Sequence, residues 1–204
     1  MNPLQGEQWL LDKYGYAGAS MFHAILAKGQ GKTRASYLRR ILAERLTGKP
    51  TETYQSDDMA RGIAQEPLAR LAYEARSDNL VEFSGFIKHA TLRCGCSPDG
   101  LVEQDGGTEF KCVIPTVQVE TILRGGYPPE HKPQVQGSLW ITGRKWWDFC
   151  SYSQDMPAHL RVYIFRVERD EDYIANLEKE VRAFLSEVDE LLGRLSAFQL
   201  KRAA

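Results

Sequence analysis

The sequence predicts an α/β fold in which a mixed central β-sheet is flanked by helices. Two observations support this prediction: several segments repeat their apolar residues at helical spacing, and others alternate apolar and polar residues as strands do. The chain has 204 residues, 43% of them hydrophobic, which is enough to bury a real core. This length favours one domain spanning residues 1–204.

The N-terminal part is predicted to be mainly helical. Residues 4–13 indicate a short helix, and the loop Y-G-Y-A-G-A-S separates it from the apolar run M-F-H-A-I-L-A. Ser20 stands where it would N-cap a helix formed by that run, with an anion site at the helix N-terminus. Residues 35–47 and 56–76 repeat their apolar side chains as helices do. Pro67 predicts a kink or a junction of two helices in the longer segment.

Strands and helices alternate in the rest of the chain. Residues 80–96 alternate as strands, and K-W-W-D-F-C-S-Y and L-R-V-Y-I-F-R-V are two further strands. The last of these suggests one buried face: Val162, Ile164 and Val167 against Arg161, Tyr163 and Arg166. Helices are predicted near 116–124, from Pro133 and from Asp170. The final helix carries an apolar stripe: Leu177, Val181, Phe184, Leu185, Val188 and Leu192.

A stretch in the middle of the chain, C-S-P-D-G-L-V-E-Q-D-G-G-T-E-F-K-C, combines two carboxylates with a lysine. Residues two apart on a strand share a face, so Glu109 and Lys111 project together while Phe110 points into the core. The Asp-Gly-Gly turn at 105–107 brings the segment that carries Asp99 back beside this strand. Two carboxylates and one ammonium group then surround one point.

This grouping favours a metal-dependent reaction at a phosphate. Two carboxylates suit Mg²⁺, which is normally held by one or two carboxylates with waters and substrate phosphate, and Mn²⁺ can substitute. The metal would polarise a phosphoryl oxygen and lower the pKa of bound water. Lys111, its own pKa lowered by the cation and by partial burial, would orient or deprotonate the attacking water. A lone E-x-K is usually an ordinary surface pair; the preceding S-P-D-G and the apolar flanks favour a site.

These residues resemble the motif of the PD-(D/E)xK nucleases: Pro98-Asp99, a short gap, then Glu109-Phe110-Lys111. More narrowly, the stretch resembles the lambda exonuclease family, the YqaJ-like phage alkaline exonucleases. The resemblance implies a restriction-endonuclease-like version of the α/β fold. It also implies that Asp99 and Glu109 ligate the metal together with the Phe110 backbone carbonyl, and that Lys111 acts on the water.

Further positions match the family outside this motif. Lys13 and Ser20 fall on positions that hold the 5′-phosphate of the DNA end, with lysine where the family can carry arginine. Gly62 and Glu66 match a G-x-x-x-E that places a glutamate at the active site, and Gln134 matches a glutamine near it. Ordinary roles stay open for three of them: a helix cap for Ser20, and solvated surface side chains for Lys13 and Glu66.

The function implied by the resemblance is a Mg²⁺-dependent exonuclease that degrades one strand of linear double-stranded DNA from its 5′ end. Such an enzyme releases 5′-mononucleotides and leaves 3′ single-stranded DNA for recombination. The family further implies a ring-shaped homotrimer and a phage single-strand annealing protein as partner. Two alternatives stay open: a structure-specific or restriction-like endonuclease with the same metal site, and a non-catalytic DNA-binding module.

The formal net charge of −1 is low for a protein that binds DNA, so basic residues would have to gather on one surface. The basic loop at 28–34 is one candidate, through Lys28, Lys32 and Arg34, although a solvated loop is equally open. The four cysteines predict packed thiols, because C-x-C is not the usual zinc spacing. The sequence lacks a membrane-spanning stretch and a secretory signal, which favours a cytoplasmic protein, and the resemblance adds a phage or prophage origin.

Overall fold

The structure is a computed structural model, and it describes residues 6–27, 32–51 and 56–202. Its helices are α1 (Glu7–Lys13), α2 (Phe22–Leu26), α3 (Lys32–Thr47), α4 (Asp57–Ser77), α5 (Pro115–Arg124), α6 (Lys132–Thr142) and α7 (Glu171–Arg202). Its strands are β1 (Ala17–Gly18), β2 (Val81–Glu82), β3 (Ile87–Lys88), β4 (Cys94–Cys96), β5 (Gly100–Val102), β6 (Gly106–Cys112), β7 (Trp146–Tyr152) and β8 (Val162–Glu168). The predicted α/β fold is confirmed.

The central sheet has five strands in the order β2-β5-β6-β7-β8. Strands β6 and β7 are parallel, and the other neighbours are antiparallel, so the sheet is mixed as predicted. A second, smaller sheet has the order β1-β4-β3. The predicted strand region at 80–96 is therefore divided, because β2 joins the central sheet while β3 and β4 join the small one.

Two glycines allow β6 to pair closely with β7. A Cβ atom on Gly106 would lie 2.0 Å from the ring of Trp146, and one on Gly107 would lie 2.3 Å from the ring of Trp147. Glycine at both positions therefore lets the two indoles lie across the start of β6, in a parallel register that pairs Gly106 with Trp146. The hairpin turn that precedes β6 covers 103–105, so both glycines of the predicted turn belong to the strand.

Helices cover both faces of the sheet, and this makes the prediction of one buried face on β8 wrong. Val162 and Ile164 pack on the side where Tyr73 of α4 lies. Val167 packs on the opposite side, in a cluster with Ile174 of α7. A strand between two layers of helices buries residues of both parities, which the period of two cannot reveal.

Helix α4 runs without interruption through Pro67, so the predicted junction of two helices does not form. Ser56 caps this helix, because its Oγ accepts the N–H of Met59 at 3.3 Å. Pro67 is exposed, and the helix continues although the proline removes one interior hydrogen bond.

The apolar stripe of α7 packs against α2 and α3 rather than on the sheet. Leu177, Val181 and Phe184 form one cluster with Phe22 of α2 and Ile41 of α3. The four cysteines are free thiols, three of them buried, as predicted. Among the described helices, none is long and apolar enough to cross a membrane.

Candidate active site

Strand β6 carries the predicted glutamate and lysine on one face. The Lys111 Nζ donates to Glu109 Oε1 at 2.6 Å, and the Glu109 side chain is buried. Phe110 points to the other face, where its ring meets that of Tyr73 edge-on at a centroid distance of 5.7 Å. The alternation expected of a strand therefore places these side chains as predicted.

Asp99 lies beside the same strand, as the predicted hairpin requires. Its Oδ2 accepts the backbone N–H of Phe110 at 2.7 Å. Burial raises the pKa of Asp99 well above its usual value, and the Glu109 and Glu66 carboxylates raise it further. Lys111 and the Phe110 N–H lower this pKa by less. Three carboxylates therefore influence one another across a small region.

Gln134 joins the pair on β6 from the first turn of α6. Its Nε2 donates to Glu109 Oε1 at 2.6 Å, and its Oε1 accepts from Lys111 Nζ at 3.3 Å. Gln136, two residues later, has a different environment: its Nε2 donates to the Glu168 carbonyl at 2.9 Å, away from the carboxylates. Of the two glutamines, Gln134 is therefore the one that contacts the predicted site residues.

Glu66 approaches the same carboxylates from α4. It is half-buried, and its charge raises the pKa of Asp99 and also that of Cys112, at the end of β6. These two effects locate Glu66 on the side of α4 that faces β6. An entirely solvent-facing helical glutamate, the alternative left open by the sequence, does not fit this position.

The pKa of Lys111 differs from the expectation of a lowered value. Burial lowers the pKa, but the Glu109 and Asp99 carboxylates together raise it by more, so the net shift is upward. The expected lowering depended on a metal cation next to the lysine. In the protein alone, the carboxylates decide the shift and hold Lys111 as an ammonium ion.

The residues present fit a magnesium site with few protein ligands. The described part of the chain contains no cluster of three or more acidic, histidine or cysteine side chains positioned around one ion. Asp99 and Glu109, with the Phe110 carbonyl, would supply hard oxygen ligands of the kind Mg²⁺ prefers, and so few protein ligands leave positions for water and phosphate. Burial is the main cause of the raised pKa of Asp99, and the Glu109 and Glu66 carboxylates add to it, so a bound cation would favour the ionised form of this carboxyl.

One cavity, of about 330 Å³, connects this cluster to the N-terminal helices. Its lining includes Asp99 and Gln134 at the cluster and Lys13, Ser20 and Arg40 at the other end. Lys13 and Ser20, which the sequence assigned to phosphate binding, therefore share one cavity with Asp99 and Gln134 of the predicted catalytic set, although the four residues are far apart in sequence.

Lys13 is half-buried at the end of α1. Its Nζ lies 3.3 Å from the centroid of the Trp9 ring. Burial and the charge of Arg40 lower the pKa of Lys13 to about 8, and Glu44 partly offsets them. A lysine held against an indole and next to another cation is not the solvated surface side chain that the sequence left open.

Ser20 does not cap a helix, and that prediction is wrong. It lies inside the 3₁₀ turn Ala19–Met21, whose N-cap is Gly18, and no side chain caps either this turn or α2. Helix α2 has only five residues, so it offers no extended N-terminal site. The hydroxyl of Ser20 is nevertheless exposed at the cavity, where it is available to a ligand.

Three residues of this region, Trp9, Arg40 and Glu44, were not identified from the sequence. The Trp9 Nε1 donates to Ser97 Oγ at 2.9 Å, which ties α1 to the loop that carries Asp99. Arg40 and Glu44 pair on α3 at 3.0 Å. Their spacing of four is ordinary for a helix surface, so the sequence gave no sign that they line a cavity.

The basic loop is only partly described. Lys28 lies outside the described residues. Arg34 donates to Glu187 of α7 at 2.7 Å, and its contact with the DNA backbone stays a prediction. Lys32, at the start of α3, is exposed.

Comparison with protein families supplies one match that covers the site. The model of the YqaJ-like viral recombinase domain matches residues 8–145, a range that contains the candidate residues from Lys13 to Gln134. The curated protein ExoD of Escherichia coli (strain K12) is 34% identical over 62 residues, which are 30% of this chain and 70% of ExoD.

Solved structures extend the likeness to almost the whole chain. The alkaline exonuclease LHK-Exo of Laribacter hongkongensis is 34% identical, with a TM-score of 0.89, over 96% of this chain and 99% of that one. The structure of LHK-Exo in complex with dAMP gives the same coverage and a TM-score of 0.90. A phage-related exonuclease from Haemophilus somnus 129PT shares the fold at 14% identity, with a TM-score of 0.68.

Proposed function

The chain belongs to the YqaJ-like viral recombinase family, and we propose that it is a Mg²⁺-dependent exonuclease that degrades one strand of linear double-stranded DNA from its 5′ end. The products would be 5′-mononucleotides and a 3′ single strand for homologous recombination by strand annealing. In this proposal residues 1–204 act as one nuclease domain in the cytoplasm of a bacterial host.

The observation that carries the proposal is the shared cavity. Lys13, Arg40 and the Ser20 hydroxyl line one part of it, and Asp99 and Gln134 of the carboxylate cluster line another. An enzyme that holds a terminal phosphate at the first place and cuts at the second removes residues from an end. An interior site of a duplex has no such terminal group, so this arrangement favours an exonuclease.

Asp99, Glu109 and the Phe110 carbonyl would hold Mg²⁺, or Mn²⁺ in its place. When bound, the ion supplies polarisation of the scissile phosphate and a lowered pKa for its water. Lys111 would orient the attacking water, and Gln134 would hold Lys111 and Glu109 in their mutual position. Glu66 adds a third carboxylate, which would orient water at the edge of the site.

Lys13 and Ser20 would bind the terminal 5′-phosphate. The lysine supplies charge, and the exposed hydroxyl of Ser20 supplies a hydrogen bond. The likeness to LHK-Exo supports this proposal, since that protein is an alkaline exonuclease of similar fold and similar length. The dAMP in its complex is a mononucleotide, the class of product that the proposed reaction releases.

The proposal includes partners. Family membership supports a homotrimeric ring that encloses the duplex, and a phage single-strand annealing protein that takes up the 3′ strand. Enclosure would also explain how a chain of net charge −1 keeps hold of DNA. A sedimentation measurement of the oligomeric state would test the ring.

The deciding experiment uses linear duplex DNA labelled separately at each 5′ end, next to a closed circle, with and without Mg²⁺. We expect mononucleotides from the 5′ ends only in the presence of the ion, with the circle intact. Nicking of the circle would identify an endonuclease with the same metal site. Retained binding without any cleavage would identify a non-catalytic module.

A further inference from the structure

We infer that Arg40 is a second cation for the terminal 5′-phosphate, one that acts together with Lys13 and sustains recognition of that phosphate at alkaline pH. The inference rests on the proposed function, because it concerns the end-binding part of the same cavity. It adds a specificity-determining residue on α3 to Lys13 of α1 and Ser20 of the 3₁₀ turn.

The Arg40 side chain is anchored at one edge. Its Nε donates to Glu44 Oε1 at 3.0 Å, and the buried Glu44 is itself fixed, because its Oε2 accepts the N–H of Gly15 at 2.7 Å. Among the described residues, neither terminal nitrogen of Arg40 has an acceptor. A guanidinium fixed at Nε and lining a cavity presents two terminal nitrogens in a plane, the geometry that matches phosphate oxygens.

Charge at this end of the cavity is also unbalanced. Lys13 and Arg40 face each other closely enough that the charge of Arg40 lowers the pKa of Lys13. Glu44 is the carboxylate that partly offsets these two charges at Lys13. A terminal phosphate is largely a dianion above its second pKa of about 6, so it would neutralise this surplus. Two cations suit that ligand better than one.

The two cations differ in their response to pH. The pKa of Lys13 is lowered to about 8 by burial and by Arg40, against Glu44, so its charge is present below that pH and is lost above it. A bound dianion favours the charged form, which moves the loss to a somewhat higher pH. Arginine keeps its charge throughout, and Tyr37, whose pKa burial raises to about 12, stays neutral. Arg40 is then the cation that remains under alkaline conditions.

The test compares kcat/KM for 5′-phosphorylated and 5′-hydroxyl ends of one duplex, between neutral pH and about pH 9.5. The proteins are the wild type, Arg40→Gln, Lys13→Ala and, as a matched control, Arg39→Gln, which replaces an exposed neighbour outside the cavity. We expect Arg40→Gln to lower the phosphate preference roughly tenfold or more at neutral pH. Because the variant lacks a charge that lowers the pKa of Lys13, its remaining preference should decline toward the alkaline end of this range. Lys13→Ala should show a reduced preference that no longer changes with pH.

Several outcomes would overturn the inference. An equal loss on both kinds of end in Arg40→Gln would give Arg40 a structural role only, through Glu44. Arg40→Lys distinguishes the two cases, because it restores the charge and should recover part of the preference. A preference lost in Lys13→Ala but intact in Arg40→Gln would reject Arg40 alone and leave the proposed function standing. A wild type without any preference would reject both the end-binding pocket and this role.

Discussion

Two buried carboxylates lie on neighbouring strands, Asp148 on β7 and Glu109 on β6, and they differ in the charges that surround them. Both are almost fully buried, at 2% and 3% exposure. Asp148 accepts two hydrogen bonds from Arg166, both at 2.9 Å, and a third from the Tyr73 hydroxyl at 2.8 Å. Its charge is matched within the chain by a partner on the adjacent strand.

Glu109 has partners of similar quality but different neighbours. Lys111 and Gln134 each bind it at 2.6 Å, yet Asp99 and Glu66 add their carboxylates to the same region. At Asp99 the Glu109 and Glu66 carboxylates together raise the pKa by more than Lys111 lowers it, and in this sense the cluster is unbalanced. A balanced cluster supports the fold, whereas a surplus of charge marks the place where a ligand of opposite charge belongs.

The largest effect should come from Lys111→Ala, which removes the cation of the unbalanced cluster. Cleavage of linear duplex should fall by about 10²–10⁴-fold, because the group proposed to orient the attacking water is lost. Binding of DNA should persist in a gel-shift assay. Lys145→Ala, which breaks an exposed pair with Asp105, is the control and should cleave normally. Cleavage by Lys111→Ala at the wild-type rate would remove the residue from the mechanism.

The second effect concerns the balanced cluster. Asp148→Ala should lower the free energy of unfolding by about 2–3 kcal/mol, because it leaves the Tyr73 hydroxyl without its acceptor and Arg166 without its partner. The exposure of Arg166, at 47% of its side chain, limits the loss. Urea unfolding provides the measurement, with Asp105→Ala as a surface control. The folded variant should cleave DNA at close to the wild-type rate, and an equal loss of activity would undo the contrast between the clusters.

A smaller effect is expected from Gln134→Ala. Glu109 and Lys111 lose the side chain that binds both, so kcat should fall by roughly 10–100-fold. Gln136→Ala is the matched variant, and it should affect stability instead, because Gln136 bonds the Glu168 carbonyl and the Asp170 N–H. If both variants lost activity and stability to the same degree, the glutamine at 134 would have no special role.

The smallest expected effect is a gain of stability rather than a loss. Without Mg²⁺, Asp99→Asn should stabilise the protein at neutral pH by about 1 kcal/mol. The pKa of Asp99 is raised by burial and by Glu109 and Glu66, so the folded state holds its proton more tightly than the unfolded state does. Its contribution is therefore present at low pH and declines as pH rises from 3.8 through the raised pKa. The measurement compares the unfolding midpoints of the wild type and Asp99→Asn in EDTA. Millimolar Mg²⁺ should make the wild type the more stable of the two. A variant that is less stable than the wild type in EDTA would contradict this expectation.

Sequence alone predicted the parts of the site that depend on local geometry. The shared face of Glu109 and Lys111 follows from the period of a strand, and the position of Asp99 follows from a hairpin. The resemblance to the lambda exonuclease family added Glu66 and Gln134, which lie on helices and which no local pattern connects to β6.

Features that depend on distant packing were not predictable. Ser20 has the sequence context of a helix cap, but the chain forms a 3₁₀ turn there, in close contact with α6, where a Cβ on Gly137 would lie 2.5 Å from the Phe22 ring. The two buried faces of β8 and the place of Arg40 in the cavity likewise depend on helices far away in sequence. Such contacts leave no periodicity in the chain.

The two glycines at the start of β6 are the clearest example of residues that matter through packing alone. Gly106 and Gly107 have no functional group, yet any side chain on them would have to displace an indole of β7 and shift the strand on which Glu109 stands. In a mutational screen scored by activity, alanine at either glycine would be grouped with the loss of a catalytic carboxylate. Intolerance to substitution along this strand would therefore overstate the number of residues that take part in chemistry, and a parallel measurement of folding would be needed to separate them.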